Sequence, residues 1–397
     1  MKKEKLLLLL LAAIQFTHVM DFMILMPLGP QLLRIFSIDA TEFSILVSAY
    51  TFSAGISGFF GTFYMDKFDR KSLILVSFAG FTISTIACAL APDYTLFLGA
   101  RIFAGAFGGI IAALILAVVG DAFPYEKRGS AMGFVMAAFS VASVFGIPFG
   151  LYIANIFSWH APFLFLGGLS LILLGFLLFF FPNMNSHIQE KRLRASPIKI
   201  LQEIAADKNQ VMGLLLMVTL VLGQFTVLPF ISTYMVANVG FTEHDLTYIY
   251  LIGGAATIFT GPLTGKLADK FGKSYIFKIS VFLSLIPILI ITHLSITTMP
   301  VVLVVTTFLF IIMGGRMIPA MALITSAVKP SKRGSFMSIS SSVQQLSAGF
   351  SAFLTGLILS STPDGQILYF ERAGYFAVIA SILAVIVALR IKAVDVQ

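Results

Sequence analysis

From Leu6 to Pro30 the chain reads "LLLLLLAAIQFTHVMDFMILMPLGP", about 25 residues in which His18 and Asp21 are the only ionisable side chains. At 1.5 Å per residue, a helix of that length crosses a hydrocarbon core of about 30 Å. The preceding "MKKEK" and the leucine run resemble a secretory leader. The apolar character continues well beyond a leader's core, so the segment is read as a retained first span. Runs of this kind recur and predict twelve membrane helices, near 6–30, 42–65, 72–91, 94–121, 130–157, 161–182, 210–237, 246–268, 274–294, 299–328, 335–360 and 372–391. Composition agrees: 58% of the 397 residues are hydrophobic and 11% charged, against about 25% charged in a soluble domain. Cys88 is the single cysteine, which excludes an internal disulfide or a cysteine metal site.

The basic residues test this count. Cytoplasmic loops of membrane proteins carry an excess of Lys and Arg. With the N-terminus inside, 22 of the 26 basic residues fall on the inner side; Arg34 and Arg372 lie outside, and Arg101 and Arg316 lie within spans. Asp39, Glu42, Asp93, Glu243, Asp245, Asp364 and Glu371 mark the outer loops. The formal charge of +8 is thus a product of topology and implies no nucleic-acid partner. The long polar stretch 183–209 divides an N-terminal bundle, 1–182, from a C-terminal bundle, 210–397. It is expected to be a cytoplasmic linker with a short amphipathic helix on the membrane surface.

Short inner loops repeat. "KRGS" occurs at Lys127–Ser130 and again at Lys332–Ser335, 205 residues apart. "MDKFDRKS" after the second span is echoed by "ADKFGKSY" after the eighth, with Asp66 and Asp269 separated by 203 residues. Two echoes at nearly one offset predict that the halves are parallel structural repeats, a design suited to alternating access.

At these residues the whole chain resembles the major facilitator superfamily. That family's loop motif, Gly-x-x-x-Asp-(Arg/Lys)-x-Gly-(Arg/Lys), is complete as "GKLADKFGK", Gly265–Lys273. In the first half Thr62 and Asp69 replace its glycines, while Asp66, Lys67, Arg70 and Lys71 survive. The resemblance implies a gating latch formed by Asp66, Arg70, Lys71, Asp269 and Lys273; the alternative is a set of positive-inside anchors. Two further stretches are similar to the twelve-helix drug–proton antiporter branch, which includes arabinose-efflux-permease-like proteins. "GIPFG" carries the antiporter motif at Gly146, Pro148 and Gly150, and "SWHAPFLF" follows with His160 where that branch has arginine. Glycines of this kind let helices approach closely and proline bends them.

Charges inside a bilayer mark functional sites, since each costs about 2.5–3.5 kcal/mol on insertion scales. Asp21 lies nine residues before Pro30 and Arg101 eight after Asp93, each counted from an outer helix end. Both therefore sit about 12–14 Å deep, and the two side chains are predicted to meet. Burial favours the neutral acid, whereas a neighbouring guanidinium favours the carboxylate. That competition makes a proton switch of Asp21 and Arg101, with His18 on the same helix face as relay or modulator. The alternatives are a static ion pair and a histidine that donates one hydrogen bond. Arg316 has no acid at its depth in its own half, so it faces a wetted cavity or an acid of the other half. As a cavity residue it would suit an anionic or carboxylate-bearing substrate; a structural pair or snorkelling to the cytoplasm are the other readings. Gln224, Asn155, Gln344 and Gln345 are the remaining substrate-cavity candidates.

The expected fold is an all-α integral membrane protein, twelve helices in two pseudo-symmetric six-helix bundles. The expected function is export of a drug, sugar, amino acid or other small metabolite by proton antiport. A proton symporter importing a small metabolite is the alternative. No HExxH, GxSxG or Walker sequence is present, so neither an enzyme nor a cofactor or metal is expected. The resemblance implies a monomer in a bacterial inner membrane, both termini cytoplasmic, with a small-molecule substrate, protons and the lipid bilayer as partners.

Overall fold

The computed structural model describes residues 2–185, 197–329, 332–362 and 364–394, without the side chains of 2, 3, 66, 125, 126 and 197. Helices account for nearly all of it. The first six spans use α1 (Lys2–Ile24) with the short α2 (Gly29–Phe36), α3 (Ala40–Tyr64), α4 (Arg70–Leu90), α5 (Tyr94–Ala122), α6 (Tyr125–Val141) with α7 (Ile147–Ile156), and α8 (His160–Phe180). After α9 (Pro197–Ala206) come α10 (Lys208–Phe225) with α11 (Ile231–Tyr234), α12 (Glu243–Phe271), α13 (Lys273–Thr292), α14 (Met299–Ser326), α15 (Arg333–Ile358) and α16 (Phe370–Ala388). A two-residue antiparallel ladder, β1 (Ser360–Ser361) with β2 (Ile367–Leu368), lies between α15 and α16. Among the described residues, eleven helices are long and apolar enough to cross a membrane by length and composition. The twelfth, α15, has the length, but serines at 335, 338, 340, 341, 342, 347 and 351 dilute its apolar character. Large apolar side chains face outward, such as Phe179 at 82% and Phe259 at 77% exposure. In water such a surface would be costly; in lipid it is the favoured one.

The chain divides into two compact units, Met1–Leu25 with Ala49–Arg194, and Met26–Ser48 with Ala195–Gln397. In the first unit, Leu7, Leu11 and Ile14 of α1 pack with Phe78 and Phe81 of α4 and with Leu114 and Val118 of α5. In the second, Leu216 and Leu220 of α10 pack with Phe277, Ile324 and Ala384. Met26–Ser48 joins this second unit through specific contacts. Thr41 Oγ1 donates to the Gly356 carbonyl at 2.9 Å, Phe43 meets Phe230 edge-on, and Arg34 pairs with Glu243. Of the expected linker, 186–196 lies outside the described residues. Its amphipathic portion, α9, packs Ile204 and Ile200 into the second core.

The repeats are visible in local chemistry. Arg128 Nε donates to the Phe123 carbonyl at 3.0 Å, and Arg333 Nε to the Val328 carbonyl at 3.3 Å. Each arginine thus satisfies a carbonyl at the end of the preceding span, where a cation also complements the helix dipole. That is the physical work of the duplicated Lys-Arg-Gly-Ser step. The other echo meets one turn with two chemistries. Gly272 joins α12 to α13 at φ 97°, a conformation that favours glycine. Its counterpart Asp69 has φ −61° and caps α4 by accepting from Ser72 N at 2.9 Å.

Proline explains where spans depart from single helices. The first, expected to run to Pro30, ends as α1 at Ile24 and restarts as α2. Pro27 lacks an N–H and its ring clashes with the preceding turn. The seventh breaks likewise around Pro229, in a short 3-10 turn over Leu228–Phe230. In the fifth span, Ala142–Gly146 forms a π turn in which Ile147 N donates to the Ala142 carbonyl, five residues back. The wider turn absorbs the misfit of Pro148.

Candidate functional site

Asp21 and Arg101 meet inside the first unit. Arg101 Nη1 donates to Asp21 Oδ2 at 2.8 Å, and both side chains are 0% exposed. The same nitrogen lies 3.3 Å from the Asp21 carbonyl oxygen, and Thr85 Oγ1 of α4 donates to Asp21 Oδ1 at 3.2 Å. The guanidinium carbon stands 4.4 Å from the ring centroid of Tyr50 on α3. Four spans therefore converge on one buried pair: α1 supplies the acid, α5 the base, α4 a hydroxyl and α3 an aromatic face.

His18 lies in the same region but enters by ring contacts. It faces Tyr50 and Phe81, with ring centroids 6.4 and 6.1 Å away. Neither ring nitrogen has a hydrogen-bond partner among the described residues, and the same holds for Tyr50 Oη and for Arg101 Nε and Nη2. The Asp21 carboxylate is paired; the polar atoms around it are poorly satisfied.

The Gly146–Gly150 stretch is adjacent. A Cβ on Gly146 would lie 3.0 Å from Met20 Sδ, and one on Gly150 would lie 2.6 Å from Ile24 Cδ1. Gly146 and Gly150 thus bring the fifth span against the residues that flank Asp21, with Pro148 between them. His160, at the start of α8, places Nδ1 2.6 Å from the Ala89 carbonyl at the end of α4.

Arg316 is fully buried in the second unit. Nη1 donates to Ser284 Oγ at 3.2 Å and Ser381 Oγ at 3.1 Å, and Nη2 to the Leu220 carbonyl at 3.5 Å. Among the described residues these partners are all neutral, and Nε has none. The side chain points into the packing of α10, α13, α14 and α16. Gln224, half-buried on α10, leaves Oε1 without a partner. Asn155 on α7 and Gln344 and Gln345 on α15 are half-buried too.

At the inner loops, the side chain of Asp66 lies outside the described residues. Arg70 is buried; its Nε donates to Asp121 Oδ2 at 2.9 Å and its Nη1 to the Met65 carbonyl at 3.1 Å. Asp69 accepts from Met184 N at 3.0 Å, and Arg70 N donates back to the Met184 carbonyl, so one turn ties the end of the sixth span to the start of the third. Burial pushes the Asp69 carboxyl up, but the amides of Ser72 and Met184 outweigh it and hold it below its ordinary value. Lys71 is half-buried, and Asp269 and Lys273 are exposed on either side of Gly272. Sequence reasoning missed Tyr50; it assigned Asp121, at the end of α5, to loop or latch contacts without naming Arg70 as its partner.

Twelve spans in two repeated bundles, with an ion pair sealed inside one of them, are the architecture of a membrane transporter. The chain belongs to the Major Facilitator Superfamily, whose model matches residues 11–311 and again 213–396. It is 25% identical to "Uncharacterized MFS-type transporter YceJ" of Bacillus subtilis, over 88% of each chain. It is also 25% identical to "Multidrug resistance protein 2" of the same organism, over 78% of each. A solved D-xylose–proton symporter superposes with a TM-score of 0.76 at 16% identity, covering 95% of this chain and 96% of that one. At that identity the likeness concerns the fold.

Proposed function

We propose that this protein is a proton-coupled exporter of a small molecule, with Asp21 and Arg101 as the coupling pair. One observation carries the reading: a carboxylate and a guanidinium, both fully buried, lie 2.8 Å apart within the membrane-spanning part of the first unit. With the pair closed, the carboxylate is favoured. When water enters and Arg101 is drawn away, the acid loses its counter-charge and Asp21 takes up a proton; the return of Arg101, or the approach of a cationic group, releases it. Coupling follows if the two states belong to opposite orientations of an alternating-access cycle. His18 modulates this site through the Tyr50 ring face.

Export is supported by the helix-five motif, whose glycines pack on both sides of Asp21, and by a relative named for multidrug resistance. Arg316, a buried cation held only by neutral partners, would accept the negative group of an anionic or carboxylate-bearing substrate, offsetting a charge that is otherwise costly to bury. Gln224, Asn155, Gln344 and Gln345 are proposed as polar contacts to the same substrate. Arg70, Lys71, Asp66, Asp269 and Lys273 act as inner latches that break and re-form during the cycle. The bundles are proposed to divide at the 183–209 linker. The proposed location is a bacterial inner membrane, as a monomer with both termini in the cytoplasm, an orientation that the basic loops support.

Asp21→Asn tests the coupling. In proteoliposomes with an imposed pH gradient, the wild type should drive substrate against its concentration and the variant should only equilibrate it. Gradient-driven accumulation by Asp21→Asn at the wild-type level would overturn the assignment, and accumulation on the more alkaline side would mean symport.

A further inference from the structure

A pair that opens and closes needs something to hold Arg101 once Asp21 is neutral. Its guanidinium is fully buried, and a buried charge stripped of its partner is strongly destabilising. The observed hydrogen bonds do not supply a substitute. Both bonds to oxygen run from Nη1 to Asp21 itself, one to Oδ2 and one to the backbone carbonyl; the Cys88 thiol adds a weak contact that carries no counter-charge, and among the described residues Nε and Nη2 have no partner. The titratable groups meeting this site are His18 and Asp21 from α1, Tyr50 from α3 and Cys88 from α4. Among them Asp21 alone carries a full negative charge at neutral pH in its ordinary ionised form.

The face of Tyr50 offers a contact of another kind. Its centroid lies 4.4 Å from Arg101 Cζ, inside the roughly 6 Å over which a cation is drawn to an aromatic quadrupole. The attraction strengthens when the cation is desolvated, and Tyr50 is 0% exposed. The ring is fixed on its other sides by Phe22, with centroids 5.3 Å apart, and by His18. Among the described residues its Oη has no hydrogen-bond partner, so none of them orients the ring through the hydroxyl.

We propose that Tyr50 is a positioning residue: its aromatic face holds the Arg101 guanidinium in place while Asp21 is protonated, so that the ion pair can re-form without Arg101 leaving the bundle. This rests on the proton-coupling reading of Asp21. It assigns the role to the π-electrons of the ring and none to its hydroxyl. An aromatic face is suited to the task because its attraction does not depend on the proton that Asp21 gains or loses.

The test keeps the ring's shape and changes its electrons. Position 50 is replaced by Phe and then by mono-, di- and trifluorophenylalanine, in the wild type and in Asp21→Asn, and thermal melting of the purified full chain is measured. Tyr50→Leu is not used for the decision, since the cavity it opens lowers stability by itself. Tyr50→Phe should melt close to the wild type. In the Asp21→Asn background each added fluorine should lower Tm, with a total fall of about 2–4 °C, and the fall should be clearly smaller where Asp21 is intact. A flat series in both backgrounds, equal slopes in the two, or a loss already complete at Tyr50→Phe would each overturn the proposal. The coupling reading itself is decided separately, by gradient-driven flux through Asp21→Asn with Tyr50 unchanged. Failure of one is therefore not failure of the other.

Discussion

Arg101 and Arg316 are both sealed inside helical bundles, and the difference in their partners predicts different consequences. Arg101 neutralises a carboxylate that is itself 0% exposed. Arg101→Gln would leave that charge uncompensated, at a cost of about 3–5 kcal/mol. Arg101→Gln combined with Asp21→Asn should recover most of the loss, and a double-mutant cycle of melting temperatures measures it. Arg316 orphans no acid when removed, because Ser284, Ser381 and the Leu220 carbonyl are neutral. Arg316→Ala should therefore show its larger effect on ligand binding. Carboxylate-bearing compounds that raise the wild-type melting temperature should lose that effect, whereas a loss confined to cations would contradict an anionic substrate. The meeting of Asp21 and Arg101 was legible because a helix has a fixed rise, so residues counted from two outer ends can be compared in depth. Tyr50 was not legible. An aromatic residue in a span carries no signal of its own, and which face of α3 turns toward Arg101 is decided by packing. The bond between Arg70 and Asp121 joins residues 51 apart in sequence, and only the folded chain brings them together.

Asp69 shows how an element boundary can be written in two ways. Its carboxylate caps α4 and holds Met184, while Gly272 reaches the equivalent turn through a positive φ. Asp69→Ala should cost about 1 kcal/mol near neutral pH, as lost N-caps do. The carboxyl is held below its ordinary value in the folded protein. Its contribution is accordingly complete above the unfolded pKa of about 3.9 and fades as pH falls through the lower folded value. Melting curves of wild type and variant should converge only below about pH 4; a difference that persisted unchanged into stronger acid would contradict the ionised cap. Span positions were legible within a few residues, since charged loops bracket apolar runs. Breaks at Ile24 and Phe225 were less so, because a proline in a span can bend a helix or end it. The short helix α2 was hidden inside what reads as loop, and α15 was legible as an apolar run near 335–360 although its serines dilute that signal.

Across the whole molecule, the fold was legible from three independent patterns that agree: twelve apolar runs, basic residues on alternate loops, and two echoes near one offset. Membership of the superfamily follows from the family match. The grouping of Met26–Ser48 with the second unit was not visible, since covalent order does not determine which neighbours Arg34, Thr41 and Phe43 find. The function proposed at this scale is one exchange, substrate for proton, argued from a pair of charges in a single bundle. The most direct measurement is proton release on substrate addition to the purified, weakly buffered protein, followed with a pH-indicator dye. The wild type should release protons as substrate binds, and Asp21→Asn should bind substrate with no release. Equal release from both would contradict Asp21 as the group that couples binding to the proton.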